Sequence, residues 1–226
     1  MSRYNIFNQI HKGLRALLYD TALTLQQTWF TNAEETAIAL GKVKKAVDIF
    51  DKHAEHEDRF VLPAIVKYEP ALVDLFEKEH EEDHALSQGL RDLIKVYHHA
   101  IQAGVKIETG QAINRAFTSF MMFNLEHMNK EETVLNKILW RYYTDAELAA
   151  LNKEIVASIP MDELVVTSTW MMRGLSVMEI RHWLKAVEKE SPSTAFHQLL
   201  DMAERELAAD RFRVLQESLT EGVMVA

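Results

Sequence analysis

The chain has no cysteine, only seven glycines and four prolines in 226 residues, and fewer basic than acidic side chains, 25 against 34. Without cysteine there are no disulfides, thiolate zinc sites, cysteine-ligated iron–sulfur clusters, c-type haem attachment or cysteine nucleophiles, so a bound metal must be held by nitrogen and oxygen. The scarcity of glycine and proline argues against sandwiches and barrels, which need turn residues after every short strand, and favours an all-α fold. A net charge of −9 with no Lys/Arg run argues against nucleic-acid binding and against a basic membrane-surface helix. No stretch approaches the roughly 20 apolar residues of a membrane span. The opening segment, MSRYNIFNQIHKGLR, has no apolar core of a signal peptide. The expectation is a soluble, cytoplasmic protein with no nucleic-acid or membrane partner.

What is present is helical periodicity. Ile6, Ile10, Leu14, Leu17, Leu18 and Leu25 recur at three- and four-residue steps, predicting a first helix from about 4 to 30. Asn32 with Glu34 and Glu35 opens a second, which Pro63 bends or ends. Pro70 starts a third, running to about 103, and Gly110 marks the entry to a fourth ending near 143. Capping boxes at Thr144–Glu147 and Ser176–Glu179 open shorter helices. These are expected at about 144–157, 161–173, 176–189 and 193–219. The predicted architecture is an up-down-up-down four-helix bundle over 1–143, with a helical extension over 144–226 that packs on the bundle or forms a homo-oligomer interface.

Eight of the ten histidines lie in the first 127 residues. His53 and Glu57, His80 and His84, and His127 and Glu131 are each four positions apart, which on a helix places both side chains on one face about 5–6 Å from each other. If four helices run up and down, residues at one level are equidistant from the intervening turn. The half-way points between His11 and the centres of the three pairs are 33, 68.5 and 105.5, at or near the three turns predicted from capping and breaker residues. One layer would therefore hold five imidazoles (His11, His53, His80, His84, His127) and two carboxylates (Glu57, Glu131). Such a set suits two adjacent metals sharing bridging carboxylates, with a position left for an oxo or hydroxo bridge and one for an exogenous ligand. Imidazole-rich, carboxylate-bridged, cysteine-free sites suit iron, with zinc and manganese as alternatives. Asp58, Glu81, Glu82 and Asp83 read as a solvated acidic face, His98, His99, His182 and His197 read as non-ligands, and His56, three positions after His53, reads as a surface residue, with a place beside the ligands or as a substitute ligand as the alternative.

Through His11-Lys12-Gly13-Leu14-Arg15, His53-Ala54-Glu55-His56-Glu57, His80-Glu81-Glu82-Asp83-His84 and His127-Met128-Asn129-Lys130-Glu131-Glu132, the sequence resembles the hemerythrin and HHE cation-binding proteins over residues 4–143. The resemblance implies a non-haem di-iron cofactor with His80, His84 and His127 on one iron, His11 and His53 on the other, and Glu57 and Glu131 bridging. Dioxygen would bind at the two-histidine iron and sit as hydroperoxide. Leu14, Phe123, Asn124 and Met128 would line its pocket. At 100° per residue Glu131 lies about 40° from His127 and Glu132 about 140°, so a regular helix selects Glu131 unless a π-bulge intervenes. Asn124 puts an amide where a reversible oxygen carrier keeps its pocket apolar. The implied function is an oxygen binder, sensor or scavenger. The competing reading is a di-iron oxidase, a protein reactive towards peroxide or nitric oxide, or an iron-handling protein.

Overall fold

A computed structural model describes residues 3–220, all of whose regular structure is helical. The helices are α1 (Asn8–Gln27), α2 (Ala33–His56), α3 (Leu62–Ile65), α4 (Pro70–His99), α5 (Ala103–Lys130), α6 (Asn136–Tyr142), α7 (Asp145–Ser158), α8 (Met161–Gly174), α9 (Val177–Glu190), α10 (Ser193–Glu206) and α11 (Ala209–Thr220). Two π-helical segments join consecutive helices: π1 (Glu57–Val61) between α2 and α3, and π2 (Glu131–Leu135) between α5 and α6. The fold is a four-helix bundle followed by shorter helices. Connections of a few residues make sequential long helices antiparallel neighbours.

Two compact units are present, one of residues 3–8 with Leu17–Ile159 and one of Gln9–Ala16 with residues 160–220. In the first, the inward faces follow a heptad-like spacing. On α4 the buried residues are Val73, Phe76, His80, Asp83, Ser87, Leu90 and Tyr97, and on α5 they include Ile113, Phe117, Phe120, Asn124 and His127. Alternating steps of three and four keep one stripe turned inward. Beyond the ligand layer, Phe7, Val61, Leu62, Ile65, Phe76, Leu135, Leu139 and Leu148 form an apolar floor. Arg3 ties residues 140–145 to the N-terminal segment by bonding Asp145 Oδ1 and the carbonyls of Trp140 and Tyr143.

The fourth long helix starts at Ala103 and not at Gly110. Glycine at 110 serves a different purpose: a Cβ there would lie 2.1 Å from Cγ of Phe30, so its absence lets the ring of Phe30 seat against α5. In place of one helix over 193–219 there are two, α10 and α11, because Leu207 is extended (φ −91°, ψ 147°) and ends the first. Both predicted capping boxes form, Thr144 with Glu147 and Ser176 with Glu179.

In the second unit Met172, Leu175, Ile180, Leu184, Met202, Ala203, Leu207 and Leu215 make the core. A Cβ at Gly174 would meet the carbonyl oxygen of Lys12 at 2.2 Å, and the Lys12 ammonium reaches Glu179 at 2.6 Å. The turn that carries His11 is thereby packed against α8 and the start of α9.

Candidate metal centre

Two groups of metal-ligating side chains lie in the bundle. In one, His11, His53, Glu57 and Glu131 each bring a ligand atom within 4.8 Å of the others; in the second, Glu57, His80, His127 and Glu131 do the same. Glu57 and Glu131 belong to both groups. Glu57 shows how one carboxylate serves two: its Oε1 is 3.2 Å from His53 Nε2 and its Oε2 is 3.4 Å from His80 Nε2. On α5, His127 Nε2 lies 3.2 Å from Glu131 Oε1. Two ligands that each stand about 2.1 Å from one ion at roughly a right angle are about 3 Å apart, so these separations suit an ion between them.

The outer nitrogens are fixed as metal-binding imidazoles require. His80 Nδ1 is 2.6 Å from Asp58 Oδ1, and His127 Nδ1 is 2.7 Å from Glu79 Oε2, whose other oxygen accepts from Lys130 at 2.8 Å. A carboxylate on the far nitrogen orients the ring and turns Nε2 toward the metal. The inward Nε2 of His80 is buried and has no hydrogen-bond partner. Phe123 stacks on the His127 ring with centroids 6.1 Å apart, and Phe76 meets it edge-on at 5.6 Å. The donor set of four imidazoles and two shared carboxylates therefore fits a binuclear, oxygen- and nitrogen-ligated ion pair.

The electrostatics agree. Burial would push His80 down, but the carboxylates of Asp58 and Glu57 prevail and raise it to about 10. His127 is raised to about 9, burial again being outweighed, here by Glu131, Glu57 and Glu79. The buried negative charge of the site thus attracts positive charge, which protons or metal ions can supply.

His84 is brought into neither group. Its side chain is 69% exposed, with Nδ1 3.6 Å from Asp51 Oδ1. The inward stripe of α4 continues from His80 through Asp83 to Ser87, which leaves the residue four positions on at the flank of the stripe. Each group consequently has two histidines, in place of three and two. Glu131 is the carboxylate in both groups, and the π turn begins on it and not before it. The first π turn likewise begins on Glu57, and π1 precedes Pro63, whose ring cannot accept a regular helical neighbour four residues back.

Of the pocket residues, Leu14, Asn124 and Met128 are buried and Phe123 is half-buried. His56 is half-buried and in neither group, His98 and His99 are exposed, and His99 Nδ1 bonds the carbonyl of Lys95. Of the acidic residues read as a solvated face, Asp58 is exposed and in addition orients His80, whereas Asp83 is buried and accepts from Asn124 Nδ2 at 2.6 Å. The signal for Asp83 lay in the sequence, since it shares the three-four spacing of Phe76, His80, Ser87 and Leu90. Nothing marked Glu79, whose role depends on the rotation of α5 against α4.

No curated protein and no protein of solved structure matches the chain. The family model of the hemerythrin HHE cation binding domain matches residues 2–139, which spans all six clustered ligands. The chain belongs to the hemerythrin HHE cation-binding family.

Proposed function

We propose that the protein binds two iron ions and, through them, dioxygen, acting as a sensor or scavenger and not as a store. The observation that carries this reading is the sharing of Glu57 and Glu131 between two groups of ligand atoms, each completed by two histidines. His11 and His53 would hold one ion and His80 and His127 the other. Bound iron would supply the electrons that a diatomic ligand needs.

The chain's own residues do the rest. Asp58 and Glu79 hold their imidazoles by Nδ1, fixing ring orientation before any metal arrives. The Phe76 and Phe123 rings against His127 keep that face apolar and hinder water. Asn124 and Asp83 break the apolar wall. Both are buried, the amide donates to Asp83 and to the Phe120 carbonyl, and burial raises the Asp83 carboxyl to about 6. A protonatable group and a dipole beside the centre favour release of a reduced ligand over its long retention.

The test is stopped-flow mixing of the anaerobically reduced iron protein with oxygen. A visible absorption band that forms and decays within minutes supports a sensor or scavenger. A band stable for hours supports a store, and no transient rejects oxygen binding. Turnover of peroxide or nitric oxide at the same centre is the second reading, favoured by the same buried acid. Sustained consumption of either compound by the reduced protein would establish it.

A further inference from the structure

Tyr68 and Tyr142 lie face to face, with ring centroids 3.8 Å apart and planes 2° from parallel. The two residues hold equivalent places in the chain. Each stands eleven positions beyond the carboxylate on which a π turn begins, Glu57 for Tyr68 and Glu131 for Tyr142. Corresponding points of the two halves of the bundle thereby meet in one pair of phenols.

Aromatic pairs ordinarily settle edge-on or offset, with centroids about 4.5–7 Å apart, so a parallel contact this close is held by its surroundings. Tyr143 meets the Tyr68 ring edge-on at 6.4 Å, and its hydroxyl donates to the Ala64 carbonyl at 2.6 Å. Arg141 reaches Glu69 at 3.5 Å, which joins the chain neighbours of the two rings. A cation stands over each ring as well: Lys67 Nζ is 4.6 Å from the Tyr68 centroid, and Arg141 Cζ is 6.0 Å from that of Tyr142. Tyr142 is exposed and Tyr68 half-buried, so a small solute reaches the pair from solvent.

We propose that Tyr68 and Tyr142 are a site of oxidative modification, joined by a peroxide into an intramolecular dityrosine that ties the turn after α3 to the end of α6. Each phenol loses one electron and its hydroxyl proton and becomes a phenoxyl radical. The two unpaired electrons form a bond between the ring carbons ortho to the oxygens, and each of those carbons then passes its hydrogen, as a proton, back to the oxygen. The pair gives up two electrons and two protons in all. The peroxide takes the electrons one at a time as its O–O bond breaks, and hydrogen peroxide leaves as two molecules of water. Rings already parallel at van der Waals distance bring their ortho carbons together by sliding, with no separation of the segments that carry them. The step uses no metal of the bundle and stands apart from the metal-binding reading.

The test treats the full chain, dilute and freed of metal by a chelator, with persulfate and an illuminated ruthenium tris-bipyridyl complex, a peroxide system that removes one electron at a time and ends as sulfate. Monomer is isolated by gel filtration, its dityrosine fluorescence is read, and its tryptic peptides are weighed. Cleavage after Lys67 and Arg141 releases the peptides 68–78 and 142–153, so the cross-link shows as these two joined and lighter by two hydrogens than their sum. The expected result is that peptide pair in the monomer, with a raised thermal midpoint, since a tie between distant segments restricts the unfolded chain. Tyr68→Phe and Tyr142→Phe, which keep a stacked ring and lose the hydroxyl, should lower the yield about tenfold or more, and Tyr143→Phe and Tyr19→Phe should change it less than about twofold. A monomer without dityrosine, a cross-link that joins other tyrosines, or a yield kept in Tyr68→Phe overturns the assignment. The peptide map of the wild-type protein decides even where a variant fails to fold.

Discussion

His80 and Asp58 stand 2.6 Å apart, Nδ1 to Oδ1, across the junction between α4 and the first π turn. The contact turns Nε2 of His80 inward and makes the imidazole a stronger donor. Asp58→Asn keeps the shape and removes the charge, and outer carboxylates of this kind are worth about 10- to 100-fold in metal affinity. Competition with a chelator of known affinity should show a loss in that range, with the helical content unchanged.

The exposed position of His84 and the enclosure of Glu131 separate ligands from neighbours. His84→Ala and Glu132→Ala should keep two metals per chain, whereas His80→Ala and Glu131→Ala should each lose at least one, as read by metal analysis after gel filtration. Equal depletion by His84→Ala would return that residue to the ligand set.

Much of this was legible in the sequence. The four-position pairs His53–Glu57 and His127–Glu131, and the equal distances to the turns, locate the layer because helical rise is constant. The exposed position of His84 is not legible, because a four-residue step does not say which side of the first residue the core lies on. The stripe through Phe76, His80, Asp83 and Ser87 does say so, and it selects Asp83 for the interior. The π turns are not legible in the periodicity because they begin on Glu57 and Glu131, after the spacing that identifies the candidate ligands is complete. The Asp58 and Glu79 contacts depend on how neighbouring helices are rotated, which one strand of periodicity cannot encode.

In the metal-free protein His80 is raised to about 10 and His127 to about 9. Between the unfolded value near 6.5 and these values the folded chain binds more protons than the unfolded one. Stability from these groups is complete below about pH 6.5 and is lost as pH rises through 9 to 10. The thermal midpoint of the chelated protein should therefore fall between pH 6.5 and 9.5, and iron, by replacing those protons, should flatten the dependence. A flat profile without metal would mean that the two imidazoles are neutral at pH 7.

Gly110 faces the Phe30 ring so closely that a Cβ would stand 2.1 Å from it. Gly110→Ala should destabilise the bundle by about 1–3 kcal/mol, overpacking outweighing the gain in helix propensity. Gly41→Ala, where a Cβ meets nothing within 4 Å, should stabilise by up to about 1 kcal/mol. Denaturant midpoints of the two variants, shifted in opposite directions, would check both.

The claim on which the rest depends is that Glu57 and Glu131 are shared by two ions. Iron analysis of the protein reconstituted anaerobically with ferrous iron and then oxidised tests it most directly, paired with the near-ultraviolet spectrum. The account predicts two irons per chain with the absorption of a bridged ferric pair, and one iron or fewer in Glu57→Ala. A single iron in the wild-type protein, or one zinc with no uptake of iron, would contradict it.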